Sequence, residues 1–252
     1  AVLELSSVAN QLGKERTLCE AYGGAGWETR FEDMKRIGDW LFVLGVNTMD
    51  EHLSRISMRG ARKADYPPSF SYHSPWWDAY HVPATYFARL SAALTHGEQI
   101  NEVLVLEPTT TAWMYQGEPA DTRAALGDAF QALVVKLAQA QVEFDLGCED
   151  IIADHGAVKG NRFIVGERAY HTVVIPPLLE NLNKETAELL ENFGKNGGLV
   201  YSCAGTSPGY IDGAKSEVAV KLAAGWTVAK TESIADTLLG DGAIVRRADG
   251  VQ

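Results

Sequence analysis

One carboxylate, Glu20, stands where a short apolar run breaks into a glycine-rich loop within RTLCEAYGGAGW, residues 16–27. Residues 17–21 are partly apolar, with charge before them and glycines after, which favours a buried strand ending near Glu20. In a parallel α/β barrel the reacting groups stand at the carboxyl ends of strands. Glu20 is therefore a candidate catalytic carboxylate, and the alternative is a structural ion pair with Arg30 or Arg55.

The loop after Glu20 has the composition of a ligand-binding loop. Gly23, Gly24 and Gly26 permit backbone angles that a side chain would forbid. Tyr22 and Trp27 flank these glycines and offer flat apolar faces of the kind that stack on sugar rings. Both aromatic residues are therefore candidate substrate-binding residues.

A second polar cluster follows the next expected strand. Residues 31–44, FEDMKRIGDWLFVL, carry apolar residues at spacings of three and four, which predicts a helix that Gly45 ends. The segment VNTM at 46–49 then reads as a short strand running into polar residues. Strand, helix and strand make one right-handed βαβ unit, so Glu20 should converge with the candidate substrate-binding residues Asn47, Glu51 and His52.

Residues 54–78 form a long loop rich in arginine and aromatic residues. A loop of this length in a compact domain is usually functional or disordered, and its aromatic content argues against disorder. Four of its residues either line a substrate cleft or anchor the loop on the core: Tyr72, His73, Trp76 and Trp77. Four basic residues either contact an acidic sugar or are simply solvated: Arg55, Arg59, Arg62 and Lys63. A helix over 76–94 should follow, with Pro83 kinking it or marking its true start.

From residue 101 onward, strands alternate with helices. Strands are predicted at VLVLEP (103–108), VEFDLGCE (142–149), YHTVVIPP (170–177) and GLVYSCAG (198–205). Helices are predicted at 121–140, from 183 to Gly197, at 214–223 and at 232–239, with a Thr-rich loop at 109–111 and a helix-poor segment with a hairpin at 151–166. This alternation indicates a doubly wound parallel sheet.

Composition excludes several classes of protein. The 252 residues carry a formal net charge of -11 without a basic stripe, which argues against nucleic-acid binding. No run of about 18 apolar residues occurs, so no membrane-spanning helix is expected. The three cysteines lack metal-ligand spacing and read as buried free thiols. The first residue is not methionine, and the chain looks like a fragment of something longer.

The blocks CEAYGGAGW, FEDMKRIGDWLFVLGVN, SMRGARKADYPPSFSYHSPWW and VLVLEPTTTAWMY resemble the family 106 α-L-rhamnosidases, which are large bacterial glycoside hydrolases. The resemblance implies an α/β fold in two parts. Residues 1–100 would be the last βα units of a (β/α)8 TIM-barrel catalytic domain. Residues 101–252 would be a flavodoxin-like, doubly wound domain similar to class I glutamine amidotransferases.

The resemblance also implies an activity. Glu20 would be one of two catalytic carboxylates, acting on a plant or bacterial oligosaccharide or polysaccharide, and Asn47, Glu51 and His52 would contact substrate or metal. Calcium is implied as a possible cofactor, the rest of the parent chain or an oligomer as partner, and the periplasm or the cell exterior as location. The second carboxylate would lie outside this sequence, with Asp50 and Glu51 as local substitutes.

Two other functions stay open on the residues alone. Cys203 in YSCAG follows a predicted strand, as the nucleophile of an amidotransferase-like hydrolase would, but no suitable base follows it. A buried structural cysteine is the favoured interpretation. The second part of the chain would then be a non-catalytic packing or oligomerisation module.

Overall fold

The computed structural model describes residues 1–65 and 67–242, which divide into two compact units. The first unit comprises Ala1–Ala9 and Lys14–Glu98, and the second comprises Asn10–Gly13 and the chain from Gln99 onward. The four residues Asn10–Gly13 thus belong to the second unit although they precede most of the first unit in the sequence. No helix in the described part of the chain has the length and apolar character needed to cross a membrane.

The first unit holds a two-stranded parallel sheet and α-helices. Its elements are α1 (Val2–Gln11, whose last residues belong to the second unit), β1 (Leu18–Ala21), α2 (Phe31–Val43), β2 (Thr48–Glu51) and α3 (His81–Leu94). Short 3-10 helices lie at Gly60–Ala64 and Trp77–Ala79. The predicted βαβ unit is present, with Glu20 opposite Asp50 in the parallel register. Pro83 lies in the first turn of α3 and marks the start of the helix rather than a kink. Backbone N–H groups in the first turn have no acceptor within the helix, so the missing N–H of proline costs no hydrogen bond.

The helices of the first unit pack on one face of this sheet. Cys19, Ala21 and Met49 point into a core that includes Met34 and Leu41 of α2. The alternate residues, which include Leu18 and Glu20, occupy the opposite face and are exposed. The sheet is therefore covered by helices on one side and open on the other.

A glycine sets the distance between α2 and α3. Gly38 is buried, and a Cβ atom built there would overlap the ring of Phe87 on α3. Phe87 in turn stacks on Phe42, with ring centroids 5.6 Å apart. Absence of a side chain at position 38 lets the two helices approach closely.

The second unit is built on a five-stranded parallel sheet. Its strands and helices are β3 (Val103–Leu106), α4 (Thr109–Met114), α5 (Ala120–Gln139), β4 (Phe144–Gly147), α6 (Glu149–His155), β5 (Gly156–Lys159), β6 (Arg162–Val165), β7 (Arg168–Tyr170), β8 (Thr172–Ile175), β9 (Asn181–Leu182), α7 (Lys184–Lys195), β10 (Leu199–Ser202), β11 (Tyr210–Ile211), β12 (Ala214–Lys215), α8 (Glu217–Ala223), β13 (Thr227–Val228) and α9 (Ile234–Gly240). The parallel sheet has the order β4-β3-β8-β10-β13, and β5–β7 and β9, β11 and β12 form two small sheets. The predicted parallel α/β arrangement is confirmed.

Three local predictions for this unit are wrong. The Thr-rich stretch after β3 is helix α4, and residues 149–155 form helix α6 in the segment expected to be helix-poor. The predicted helix at 214–223 starts later, because Ala214–Lys215 pair antiparallel with β11 before Ser216 caps α8. In each case tertiary contacts outweigh a weak local preference.

A buried carboxylate joins the segment Asn10–Gly13 to the rest of the second unit. Asp145 on β4 is 3% exposed and accepts hydrogen bonds from Asn10 Nδ2 (2.9 Å), Asn101 Nδ2 (2.8 Å) and the Tyr170 hydroxyl (2.8 Å). Gln11 Nε2 donates to the Leu146 carbonyl at 2.9 Å. Burial raises the pKa of Asp145, and the three donors partly offset that rise. The network is a buried polar core rather than an open site. Within the described residues, Gln11 Oε1 is buried without a hydrogen-bond partner.

Candidate functional site

Glu20 and His52 meet at the carboxyl ends of β1 and β2. His52 follows β2 directly, its Nδ1 atom lies 2.8 Å from Glu20 Oε1, and its backbone N–H donates to the Ala21 carbonyl at 2.9 Å. The Glu20 side chain is 61% exposed and that of His52 34% exposed. Neither Arg30, which pairs with Asp33, nor Arg55, which pairs with Asp65, is the partner of Glu20. The predicted convergence of the two strand ends is therefore present.

The geometry leaves Glu20 free to contact a ligand. One carboxylate oxygen is oriented by His52, and within the described residues the other accepts no hydrogen bond. Asp50 lies directly opposite Glu20 in the register and is exposed. Adjacent parallel strands lie about 4.8 Å apart, so two carboxylates stand side by side on the open face of the sheet.

Tyr22 does not have the expected role. It is 7% exposed, its hydroxyl donates to the Met34 carbonyl at 2.9 Å, and its ring stacks on Phe70 with centroids 5.8 Å apart. A ring buried in this way cannot stack on a sugar. The next residue, Gly23, lies close to His52, because a Cβ atom built at Gly23 would be 3.5 Å from the His52 ring. The glycine loop thus rests on His52, while Tyr22 holds that loop on α2.

Asn47 lies at the wrong end of β2 for substrate contact. It precedes the strand, and its side chain accepts from the Thr17 backbone N–H at 3.0 Å and donates to the Glu15 carbonyl at 2.8 Å. It is 9% exposed. The strand begins at Thr48, two residues later than the sequence suggested, and Asn47 joins the starts of β1 and β2.

Glu51 is half-buried at the end of β2 and accepts a hydrogen bond from the Tyr80 hydroxyl. Burial, followed by this contact, raises the pKa of Tyr80. Sequence reasoning missed Tyr80, although its spacing of four from Trp76 on a helical segment was a usable signal. Glu51 faces the helices, whereas Glu20 faces the open side.

The tryptophans of the long loop act mainly as anchors. Trp76 packs against Phe70 with centroids 5.6 Å apart, and its indole N–H is buried. Trp77 stacks on Tyr80 at 5.6 Å and is 40% exposed. Tyr72 and Trp77 are the exposed members of the predicted group, and His73 is half-buried. Tyr72 is 74% exposed and contacts the His73 ring, whose Nδ1 atom lies 3.0 Å from Ser71 Oγ.

Trp27 connects the glycine loop to the loop that follows His52. Its indole N–H donates to the Asp65 carbonyl at 3.0 Å, and the Arg55 guanidinium lies 5.7 Å from the ring centroid. Trp27 remains partly exposed. The two loops therefore form one rim beside Glu20 and His52.

The described residues form no cluster of acidic, histidine or cysteine side chains that would hold calcium. They contain no group of three or more His, Cys, Asp or Glu side chains close enough to hold a metal ion. Carboxylates dominate calcium coordination, which takes six to eight oxygen ligands. No step below is routed through a metal.

Cys203 has the surroundings of an inert thiol. It is 6% exposed, and burial raises the pKa of its thiol to about 11, with the Thr231 side chain as its hydrogen-bond partner. The thiolate is the reactive form, so this cysteine is protonated at neutral pH. These surroundings favour a structural role for Cys203 over a role as nucleophile.

Iodoacetamide labelling at pH 8 should be about 100-fold slower at Cys203 than at an unhindered peptide thiol of pKa about 8.5. The reason is the small thiolate fraction together with burial. Peptide mass spectrometry gives the rate at each cysteine. In denaturant the rates at Cys203 and the half-buried Cys148 should converge. Rapid modification of the folded protein at Cys203 would instead support a nucleophile.

Comparisons with known proteins give matches of structure only. No family model matches the sequence, and no curated protein does. A rhamnosidase from Novosphingobium sp. PP1Y matches over 100% of this chain with a TM-score of 0.69 and 18% identity. An apo exo-carrageenase of family GH42 from Bacteroides ovatus matches over 86% with a TM-score of 0.58 and 13% identity.

The chain has a glycoside hydrolase-like fold. A GH42 β-galactosidase, Gan42B, is also similar, with a TM-score of 0.51 and 13% identity over 86% of this chain. The chain spans 26% of the rhamnosidase, 27% of the exo-carrageenase and 31% of Gan42B. Identities this low show the fold and leave activity and substrate to be argued from the site.

Proposed function

We propose that this chain is the part of a glycosidase that carries one catalytic carboxylate, Glu20. One observation carries the proposal: Glu20 and His52 pair at the carboxyl ends of adjacent parallel strands, on the face that helices leave open. Catalytic groups of barrel enzymes occupy this end of the strands. The fold similarity to a rhamnosidase and to GH42 enzymes supports the same class of reaction.

In this proposal Glu20 acts as general base or nucleophile at an anomeric carbon. Hydrogen bonding to His52 fixes one oxygen of the carboxylate, and the other oxygen faces the open side of the sheet. Fixed orientation of a reacting group lowers the entropic part of the barrier. His52 is thus a positioning residue that also presents its partly exposed ring to sugar hydroxyls.

Glycoside hydrolysis needs a second carboxyl group to protonate the leaving oxygen. Within the described residues Asp50 is the better placed local substitute, because it lies opposite Glu20 and is exposed. Glu51 is engaged by Tyr80 on the helix side. The resemblance places the partner acid on a strand outside this sequence, and the separation of the two carboxyl groups would decide between inversion and retention.

Two features of the first unit support the proposal that it is a segment of a (β/α)8 barrel. Within the described residues each strand of the two-stranded sheet has an unpaired outer edge. Large apolar side chains are exposed beside it, including Leu18 at 53%, Trp40 at 58% and Val43 at 60%. Further parallel strands would pair the edges, and their helices would cover α2. The rest of the parent chain or an oligomer partner would supply them.

The second unit is proposed to be a flavodoxin-like packing or oligomerisation module. Counted in chain order, its parallel strands lie 2-1-3-4-5, the flavodoxin order. Ligands of such folds bind where the order reverses, here between β3 and β8. Thr111, on the helix that follows β3, contacts the segment that follows β8, because its hydroxyl accepts from the backbone N–H groups of Glu180 and Asn181 at 3.1 and 3.0 Å. With Cys203 also buried, the observations favour packing over catalysis.

A hydrolysis screen tests the glycosidase proposal. The natural full-length protein should release the chromophore from at least one aryl glycoside in a panel that includes aryl α-L-rhamnosides and β-galactosides. Activity with and without a chelator tests the calcium that the resemblance implies, and fractionation of the producing cell tests the proposed periplasmic or extracellular location. Absence of hydrolysis across aryl glycosides and natural oligosaccharides would refute the proposal.

A further inference from the structure

The loop after His52 carries a concentration of positive charge that the rest of the acidic chain lacks. Residues 54–77 contain four basic residues and one acidic residue, whereas the whole chain has a net charge of -11. The sequence predicts that these basic residues either contact an acidic sugar or are simply solvated. The structure separates the four basic side chains into two groups with different surroundings.

Arg55 is the anchor of the loop. Its side chain is 4% exposed, and its guanidinium donates to the Arg62 carbonyl at 2.6 Å and lies 3.8 Å from the Asp65 carboxylate. Its backbone N–H donates to Ser69 Oγ at 3.1 Å. These bonds fix the 3-10 turn Gly60–Ala64 in place. Arg55 is a positioning residue rather than a ligand contact.

The other three basic residues are displayed by that turn. Arg59 precedes it, and Arg62 and Lys63 lie within it; all three are exposed. Among the described residues none of the three forms an ion pair, whereas Arg55 of the same loop pairs with Asp65. The only acid of the loop, Asp65, faces Arg55.

The 3-10 turn Gly60–Ala64 contacts the rim of the candidate active site through Asp65. Trp27, from the loop after Glu20, donates its indole N–H to the Asp65 carbonyl at the end of the turn and lies under the Arg55 guanidinium. His52, the partner of Glu20, lies three residues before Arg55 in the chain. The unpaired cations are therefore held on the loop that follows β2, which contacts the loop after Glu20 through Trp27.

We propose that the turn carrying Arg59, Arg62 and Lys63 binds an anionic group, a carboxylate or a sulfate ester, on the glycan that Glu20 acts on. The inference rests on the proposed glycosidase function and names its substrate class. Guanidinium groups pair with planar or tetrahedral oxyanions through parallel N–H···O bonds, and an ammonium adds a point charge. Pre-positioning by Arg55 reduces the ordering that binding would require.

A binding experiment on the full-length protein tests this inference. In a Glu20→Gln background, which prevents turnover, binding is measured on an array of neutral, uronate-containing and sulfated oligosaccharides. The triple variant Arg59→Gln/Arg62→Gln/Lys63→Gln should bind the preferred anionic glycan about tenfold or more weakly, because charge-assisted hydrogen bonds are lost. Preference for uronate or for sulfate glycans identifies the source of the charge.

A matched control removes three exposed cations elsewhere in the same unit: Lys14→Gln/Arg36→Gln/Arg89→Gln. This control should bind as the background does. Recognition of neutral glycans only, or equal binding by the triple variant and its control, would overturn the anionic substrate. Hydrolysis of neutral glycosides that depends on Glu20 would then leave the glycosidase proposal standing, whereas failure to hydrolyse any glycoside would remove both.

Discussion

Replacing Glu20 by glutamine in the full-length protein should lower kcat about 10³-fold, equivalent to ~4 kcal/mol of transition-state stabilisation. Glutamine keeps the length of the side chain and can still bond to His52, but it cannot accept a proton or attack an anomeric carbon. The Glu20 side chain is 61% exposed, so the substitution should change the free energy of unfolding by less than ~0.5 kcal/mol. Steady-state kinetics and urea unfolding measure the two quantities.

Glu28→Gln is the matched control for this substitution, because Glu28 is an exposed carboxylate next to Trp27. It should leave kcat unchanged. An intermediate effect is expected for His52→Asn, since an amide orients the carboxylate less well than the imidazole does. If Glu20→Gln turned over substrate as fast as the wild type, the catalytic assignment would be wrong even if the protein proved to be a glycosidase.

Replacing Asp145 by alanine should lower the free energy of unfolding of the second unit by ~3–5 kcal/mol. The substitution leaves three donors without this acceptor: the buried Asn101 Nδ2 and Tyr170 hydroxyl and the half-buried Asn10 Nδ2. Each unsatisfied buried donor costs about 1–3 kcal/mol. Hydrogen–deuterium exchange of peptides covering β3 and β4, with urea unfolding, measures the loss.

Asp145→Asn should be milder but still destabilising. Asp145 Oδ1 accepts from Asn101, and Oδ2 accepts from both Asn10 and Tyr170, so the amide N–H₂ of an asparagine has to face a donor in either orientation. Asp128→Ala, on the exposed face of α5, is the control and should change stability by less than ~0.5 kcal/mol. Equal stability of the Asp145→Ala and Asp128→Ala variants would show that the network contributes nothing.

The sequence was informative where pattern and topology act together. The apolar spacing of α2 and the glycine that ends it predicted a βαβ unit, and parallel pairing then required Glu20 to approach the end of β2. Chain direction alone fixes that approach, so no side-chain packing had to be known. The same reasoning succeeded for the parallel sheet of the second unit.

Errors arose where a side chain had two physically acceptable environments. Tyr22 and Trp27 flank the same glycines, yet only Trp27 is partly exposed, whereas the Tyr22 ring is buried against Phe70. Asn47 was expected beside Glu51 and His52, but β2 begins at Thr48, two residues later than predicted, so Asn47 precedes the amino end of the strand. Both distinctions depend on tertiary contacts that hydrophobic periodicity does not encode.

The assignment of Asn10–Gly13 to the second unit has a consequence for synthesis. Asn10 and Gln11 meet Asp145 and Tyr170 across sequence separations of 135 and 159 residues. At ribosomal rates of about 5–20 residues per second, these early residues wait roughly 10–30 s for their partners to emerge. The segment Asn10–Gly13 is therefore among the last parts of the second unit to form its native contacts.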